Sequence, residues 1–283
     1  MNRIRSVVHM LKALNSMQKV SVFLALIFLF LFMLIMLPVE IDPTSFMYVP
    51  VTAALITMLL TGEAFSKEGW RQLGFHRFSF KSVLVGFLIP LIPIIVGFAI
   101  IWGSGLAEFG LAEEFKGQEL VLAISFVMTL IVSSLTVTLG EEAGWRGYLS
   151  AKLQQLGFAK SLLLNGFIWG LFHLPIMLLT DSYHGDMNPY LYIPMFVVTA
   201  TLAGAFITYL RYRSGSIWPA IIAHTSHNLA WNYGDIFTQN ADPVTGYMTG
   251  DSGVVLILFY AAVLVWILLK GKRPAGYFKA HME

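Results

Sequence analysis

Three charged residues lie close together in the stretch LGEEAGWRGYLS, directly after a long uncharged run: Glu141, Glu142 and Arg146. At the α-helical rotation of about 100° per residue, Glu142 and Arg146 share one face and can pair as ions. Glu141 points about 100° away from Glu142 and has no cation on its own face. We therefore expect Arg146 to keep Glu142 ionised, and burial to raise the pKa of Glu141 towards that of a general base.

The same stretch has two further features. Arg146 taken alone is typical of a cytoplasmic anchor in the lipid headgroup region. Gly140, Gly144 and Gly147 lie on a third face of the helix, within about 60° of one another, where small residues allow a neighbouring helix to approach closely.

A second group of polar residues occurs in NGFIWGLFHLP. Asn165, Trp169 and His173 are four positions apart and therefore share a helix face. Gly166 and Gly170 form a GxxxG pattern on the adjacent face, which indicates close helix packing. A single buried histidine in a helix bundle is more often structural. His173 becomes a candidate functional residue only because other polar groups occur in neighbouring spans.

A third group occurs in SIWPAIIAHTSHNLAW. His224, His227 and Asn228 lie within about 100° of one helix surface. Ionisable side chains in a membrane helix indicate function by default, and interhelical hydrogen bonding is the structural alternative. His227 is either structural or a further hydrogen-bond donor, and the sequence leaves both alternatives open.

The composition indicates the environment that these residues share. The chain has 283 residues, of which 57% are hydrophobic and 12% are charged, whereas soluble domains carry about 25% charged residues. We therefore predict an all-α, polytopic membrane helix bundle. The net charge of +2 and the lack of a basic cluster argue against nucleic acid as a partner. Because the chain contains no cysteine, it has no thiol nucleophile, disulfide or thiolate metal site.

About eight runs are apolar and long enough to cross a bilayer. They are 20–39, 46–63, 80–103, 120–142, 161–180, 190–210, 216–233 and 252–270. The connections between them alternate between basic and acidic, from the basic N-terminal segment to the basic tail. By the positive-inside rule, both termini are predicted to be cytoplasmic.

The spans divide the chain into four parts. Residues 1–19 form a basic segment, read either as an interfacial helix or as a disordered tail. Residues 20–119 hold three spans and an acidic extracytoplasmic loop, 120–235 hold spans four to seven with all the polar motifs, and 252–283 hold the last span and a basic cytoplasmic tail.

Other intramembrane proteases have signatures that this chain lacks. No histidine is followed by the glutamate of an HExxH zinc motif. The stretch YMTGD, which ends at Asp251, lacks the first glycine of a GxGD aspartyl protease motif, and SGS at 214–216 does not fit a serine nucleophile loop. A transporter would show repeat symmetry between its halves, which the sequence does not.

The three polar groups together resemble the CAAX protease and bacteriocin-processing family, which includes the type II CAAX prenyl endopeptidases. EEAGWR is similar to the EExxxR motif of that family, WGLFH to its FxxxH motif with Trp169 in place of phenylalanine, and HTSHN to its HxxxN motif. The motifs occur in the family's order on separate spans.

The resemblance implies a glutamate-type intramembrane endopeptidase. In that reading Glu141 and His173 activate a water, and His224 and Asn228 donate hydrogen bonds to the oxyanion. Glu142, Arg146, Trp169 and His227 would surround and support them. A metal-free site is favoured, because Asn228 is a poor zinc ligand and a good oxyanion donor. Zinc bound by Glu141, His173 and His224 is the alternative.

The resemblance also bears on partners and location. We expect a cell-membrane protein of the bacterial plasma membrane, in contact with lipids, whose substrate is a membrane-associated or lipidated peptide at the cytoplasmic face. The alternative function is a non-catalytic membrane scaffold or bacteriocin immunity factor. The sequence leaves the natural substrate and the oligomeric state open.

Overall fold

A computed structural model describes residues 10–39, 41–180 and 187–270 of the chain, almost entirely as helices. The α-helices of the described residues are α1 (Ser16–Ile35), α2 (Val49–Thr61), α3 (Lys67–Arg71), α4 (Phe80–Gly103), α5 (Glu119–Leu135), α6 (Val137–Glu142), α7 (Ser150–Leu153), α8 (Phe158–Leu179), α9 (Pro189–Ser214), α10 (Trp218–Ile236) and α11 (Val254–Lys270). Two short strands, β1 (Glu108–Phe109) and β2 (Thr238–Gln239), pair antiparallel. The predicted all-α bundle is confirmed.

Helices overlie all eight predicted spans. Six segments are long and apolar enough to cross a membrane: Ser16–Ile35, Pro43–Thr61, Phe80–Gly103, Glu119–Leu156, Phe158–Leu179 and Pro189–Ser214. Helix α10 has 19 residues but carries the polar HTSHN stretch, and α11 is apolar with 17 residues. The count of eight crossings and the cytoplasmic location of the termini remain predictions.

Contacts between the connections agree with alternating crossings. At one end of the bundle, Lys152 and Lys19 both pair with Glu63, which joins the ends of three spans. Burial alone would raise the pKa of Glu63, but the two ammonium groups hold it below its usual value. At the other end, β1 pairs with β2 from a distant connection.

The fourth span is broken, unlike the single predicted helix 120–142. Helix α5 ends at Leu135, and Thr136 has φ −127° and ψ −96°, outside the helical region. Helix α6 then leads into a π-helix, Ala143–Leu149. The EExxxR motif therefore lies within a long buried element rather than at a span end, and a wide helical turn follows Glu142.

The glycine faces are close-packing surfaces, as expected. A Cβ atom on Gly144 would lie 2.4 Å from Cβ of Pro50, and one on Gly166 would lie 2.2 Å from the backbone oxygen of Thr201. The first contact joins the motif to α2, and the second joins α8 to α9. Gly147 differs from the prediction, because a Cβ atom there would lie at an ordinary contact distance of 3.4 Å from the side chains of Leu73 and Ile217.

The predicted segments at the two termini are only partly visible. Residues 1–9 and 271–283 lie outside the described residues, so most of the interfacial helix and the basic tail cannot be compared. Residues 10–12 are helical, and Asn15 caps α1 through a hydrogen bond from the backbone of Gln18.

Candidate active site

Glu142 and Arg146 form the ion pair that their spacing predicts. Their side chains are fully buried, and Arg146 Nη1 donates to Glu142 Oε1 at 2.7 Å. The guanidinium also lies over the ring of Trp169, 4.6 Å from its centroid. The interpretation of Arg146 as an anchor in the headgroup region is therefore wrong. Its charge is compensated inside the bundle by a carboxylate and an aromatic face.

Glu141 is buried but points towards other helices. Its Oε2 accepts a hydrogen bond from the indole Nε1–H of Trp169 at 3.1 Å and lies 3.8 Å from Nδ1 of His224. Its other oxygen, Oε1, accepts no hydrogen bond from any residue of the described ranges. The two adjacent glutamates thus differ as predicted: Glu142 is held by a cation on its own helix, and one oxygen of Glu141 is left for a further partner.

His224 on α10 faces both glutamates. Its Nδ1 lies 2.9 Å from Glu142 Oε1. A carboxylate only accepts hydrogen bonds, so Nδ1 carries a proton and Nε2 is the nitrogen that remains for chemistry. The imidazole ring packs edge-on against Trp169 at 5.1 Å, which fixes its plane.

His173 on α8 is fixed by its own backbone. Its Nδ1 lies 2.8 Å from the carbonyl oxygen of Trp169, one helical turn earlier. Because a carbonyl can only accept, Nδ1 is the donor and Nε2 is the unprotonated nitrogen of the neutral ring. The rings of Trp169, Phe172 and Phe196 pack around the imidazole at 5.0 to 5.7 Å. The ring is thereby held in one orientation.

Asn165, which shares a face of α8 with Trp169 and His173, holds neighbouring helices together. Its amide nitrogen donates to the carbonyl oxygen of Trp145 at 2.9 Å, and its oxygen accepts from the hydroxyl of Thr208. These bonds join α8 to the π-helix and to α9.

Asn228 and His227 complete the polar face of α10 but differ in environment. Asn228 is half-buried, and its side chain makes no hydrogen bond within the part of the chain that the structure describes. His227 Nε2 lies 2.8 Å from Asp251 Oδ1. Sequence reasoning considered Asp251 only within a failed GxGD motif. An acidic residue between glycines, directly before an apolar helix, was the signal available.

The donor atoms here are of types that bind zinc. Ligand atoms of Glu141, Glu142 and His224 lie within 4.8 Å of one another, the one such group among the described residues. Glu142 Oε2 is buried without a hydrogen-bond partner, whereas its Oε1 already serves Arg146 and His224. Carboxylate and imidazole ligands fit zinc. The group differs from the predicted set, since it contains Glu142 in place of His173.

Comparisons with known proteins agree with the motifs. Residues 123–230 match the model of a family described as type II CAAX prenyl endopeptidase Rce1-like. A CAAX prenyl protease 2 from Methanococcus maripaludis is 29% identical over 157 residues, which cover 53% of this chain and 55% of the relative. The chain thus spans about half the length of the curated relative that it matches. The predicted family resemblance is confirmed, and the matched segment contains all three motifs.

Proposed function

From this relationship and the site geometry, we propose that the protein is an intramembrane endopeptidase that hydrolyses a peptide bond with a water activated by Glu141. One observation carries the proposal. A buried carboxylate without a paired cation on its own helix lies among side chains from two other membrane helices, Trp169 on α8 and His224 on α10. Such a carboxylate can take up a proton, which a salt-bridged one does poorly.

The first step is attack by water. Glu141 Oε1 takes one proton from the water, while Nε2 of His173, the unprotonated ring nitrogen, accepts a hydrogen bond from the remaining O–H and so orients the oxygen. The resulting hydroxide adds to the scissile carbonyl carbon and forms a tetrahedral oxyanion. Glu141 then passes the proton to the amide nitrogen, the C–N bond breaks, and the carboxylate is restored.

The oxyanion faces donors on α10. Asn228 can donate from its side-chain amide, which has no partner among the described residues. His224 donates from Nε2 as an imidazolium, because its Nδ1 proton is committed to Glu142. Glu142 stabilises that positive charge, and Arg146 balances Glu142 in turn. Glu142 and Arg146 therefore act as positioning residues, which do not touch the substrate.

A zinc-dependent version would use many of the same residues. The metal would be held by Glu141 and His224 together with His173 or Glu142, and it would lower the pKa of a bound water. We favour the metal-free version because Asn228, one helical turn after His224 on α10, is a poor zinc ligand and a good oxyanion donor. Metal analysis of the purified active protein, with assays before and after chelation, decides between the two. Stoichiometric zinc that is needed for activity would refute the metal-free version.

The substrate proposal rests on the relative that is called a CAAX prenyl protease. We propose a lipidated or membrane-associated peptide presented at the cytoplasmic face of the membrane. An internally quenched peptide with a farnesylated CAAX end, in lipid nanodiscs, is the first reporter. A matched peptide without the farnesyl group shows whether the lipid contributes.

The decisive comparison uses variants of the proposed water-activating residues. Glu141→Ala and His173→Ala should each lower the cleavage rate by about 100-fold or more, because Glu141 takes the proton of the water and His173 orients the water. Glu113→Gln, which changes an exposed glutamate paired with Lys116, is the matched control and should cleave at the wild-type rate. Cleavage by both alanine variants at the wild-type rate would refute the proposal.

A further inference from the structure

The connection before α11 enters the bundle instead of staying at its surface. Within residues 245–253, Thr249 and Ser252 are buried. The hydroxyl of Ser252 donates to the backbone oxygen of Tyr192 on α9 at 3.3 Å. A Cβ atom on Gly97 of α4 would lie 3.3 Å from Thr249 Cγ2. The segment is therefore wedged between membrane helices.

One glycine permits this path. Gly250 has φ +71°, a conformation that L side chains rarely adopt, and a Cβ atom there would lie 2.8 Å from the indole nitrogen of Trp231 on α10. The turn at Gly250 directs the next residue, Asp251, towards α10, where its side chain is 26% exposed.

Asp251 is held by one strong hydrogen bond. Its Oδ1 lies 2.8 Å from Nε2 of His227. Burial alone would raise the pKa of Asp251, but the hydrogen bond from His227 holds it below its usual value. An ionised carboxylate can only accept, so the proton of this bond belongs to His227 Nε2.

In the neutral ring of His227, a proton on Nε2 leaves the other nitrogen, Nδ1, as an acceptor. Nδ1 is completely buried and has no hydrogen-bond partner among the described residues. His173 shows the opposite arrangement, because its Nδ1 is bonded to a backbone carbonyl. A buried acceptor without a partner lowers stability, so it calls for a partner that these residues do not supply.

The acceptor lies beside the proposed active site. His227 is about one helical turn from His224 and precedes Asn228, and the three residues lie within about 100° of the surface of α10. The carboxylate of Asp251 is also close enough to interact electrostatically with His173 and His224. Asp251 lies beyond residue 230, where the family match ends, so that match does not include it.

We propose that His227, positioned by Asp251, is a substrate-binding residue whose Nδ1 accepts a hydrogen bond from a backbone N–H next to the scissile bond. The inference rests on the proposed peptidase function. A peptide supplies the N–H donor that this nitrogen lacks. Asp251 is a positioning residue, since it fixes the tautomer and the ring orientation without touching the substrate. The last connection and α11 thereby belong to the functional unit.

Two substitutions of His227 test the roles of its two ring nitrogens separately. His227→Gln keeps an N–H that can reach Asp251 but removes the acceptor at Nδ1, whereas His227→Asn keeps an acceptor near the Nδ1 position. We expect His227→Gln to raise KM about fivefold with kcat within twofold, because the lost bond is made equally in the ground state and the transition state. His227→Asn should remain closer to the wild-type KM. Equal KM values in all three proteins would overturn the inference.

Two substitutions at position 251 test the positioning role. Asp251→Asn still offers an oxygen to His227 Nε2–H and should change KM less than twofold. Asp251→Ala removes that oxygen and should raise KM about as much as His227→Gln. Thermal unfolding of each variant identifies loss of fold. If the folded Asp251→Ala protein has the wild-type KM, Asp251 does not position His227.

Reporters with single backbone N–H groups near the scissile bond replaced by ester oxygens locate the contact. One such ester should raise the wild-type KM about fivefold and leave that of His227→Gln unchanged, because both changes remove the same bond. If no position shows this dependence, the proposed contact is refuted.

A measurement without substrate separates this inference from the peptidase proposal. In ¹⁵N-histidine-labelled protein, His227 is assigned by its loss in His227→Gln, and its nitrogen shifts should report a proton on Nε2 and none on Nδ1. A proton on Nδ1 overturns the inference whether or not a reporter is cleaved. The expected tautomer in a protein that cleaves no reporter refutes the peptidase proposal instead.

Discussion

Glutamine substitution of the two adjacent glutamates should have very different consequences for stability. Glu142→Gln removes the carboxylate from a site where both partners are fully buried and where Oε1 serves Arg146 at 2.7 Å and His224 at 2.9 Å. Arg146 is then left as a buried cation without its counter-ion. Glu141→Gln instead removes a buried charge that has no cation on its own helix and leaves an oxygen for the Trp169 indole.

The magnitudes follow from these environments. Breaking a buried ion pair by removing one partner costs about 3–5 kcal/mol, which corresponds to a fall in unfolding temperature on the order of 10 °C. The cation nearest to Glu141, His224, lies closer to Glu142, so replacement of the Glu141 carboxylate by its neutral isostere should change the unfolding free energy by less than about 1 kcal/mol, or raise it. Both substitutions should abolish cleavage, the first through positioning and the second through loss of the base.

Thermal unfolding followed by tryptophan fluorescence in detergent micelles, run beside the reporter assay, measures both effects. Glu141→Gln should unfold near the wild-type temperature and be inactive. Glu142→Gln should be inactive and unfold at a clearly lower temperature. If Glu141→Gln is the less stable variant, or if Glu142→Gln keeps both stability and activity, the division of roles between the two glutamates is refuted.

Three further predictions concern the surroundings of the site. Trp169→Phe removes the N–H that holds Glu141 and should slow cleavage about tenfold with a wild-type fold; an unchanged rate would show that this bond does not matter. Gly166→Ala places a Cβ atom 2.2 Å from a backbone oxygen, whereas Gly103→Ala meets nothing within 4 Å, so only the first should lower the unfolding temperature. Glu63→Gln should destabilise the protein, unlike the exposed control Glu113→Gln. The folded pKa of Glu63 is depressed, so Glu63 contributes its full stability above the pKa of the unfolded chain and loses it as pH falls through the folded pKa. The unfolding temperatures of Glu63→Gln, Glu113→Gln and wild type should therefore converge in an acid titration.

The sequence predicted the local contacts of the candidate site well, because helical periodicity decides which side chains of one helix can meet. The pairing of Glu142 with Arg146 needs only their spacing of four residues, and the close contacts of Gly144 and Gly166 need only small side chains at regular intervals. These features are local to one helix. These contacts form even though the span that carries the EExxxR motif is broken at Thr136 and contains a π-helix.

Other features were beyond sequence reasoning because they depend on contacts between distant segments. The helix break at Thr136 has no proline or glycine beside it that would predict it from the sequence. The contact of His224 with Glu142 joins helices that lie 82 positions apart in the chain. The path of residues 245–253 into the bundle follows from packing against three helices, so Asp251 looked like an ordinary loop residue.

The π-helix after Glu142 has a consequence for the rest of the chain. A π-helical turn accommodates one residue more than an α-helical turn, so it sets the rotational phase of all that follows. If the same residues were wound as an α-helix instead, every later residue would be turned by about 100°. Glu141, which precedes the wide turn, would stay in place, but Lys152 would rotate away from Glu63. The wide turn thus adjusts the rotation of the chain, so that Glu141 before it faces the candidate active site and Lys152 after it faces Glu63.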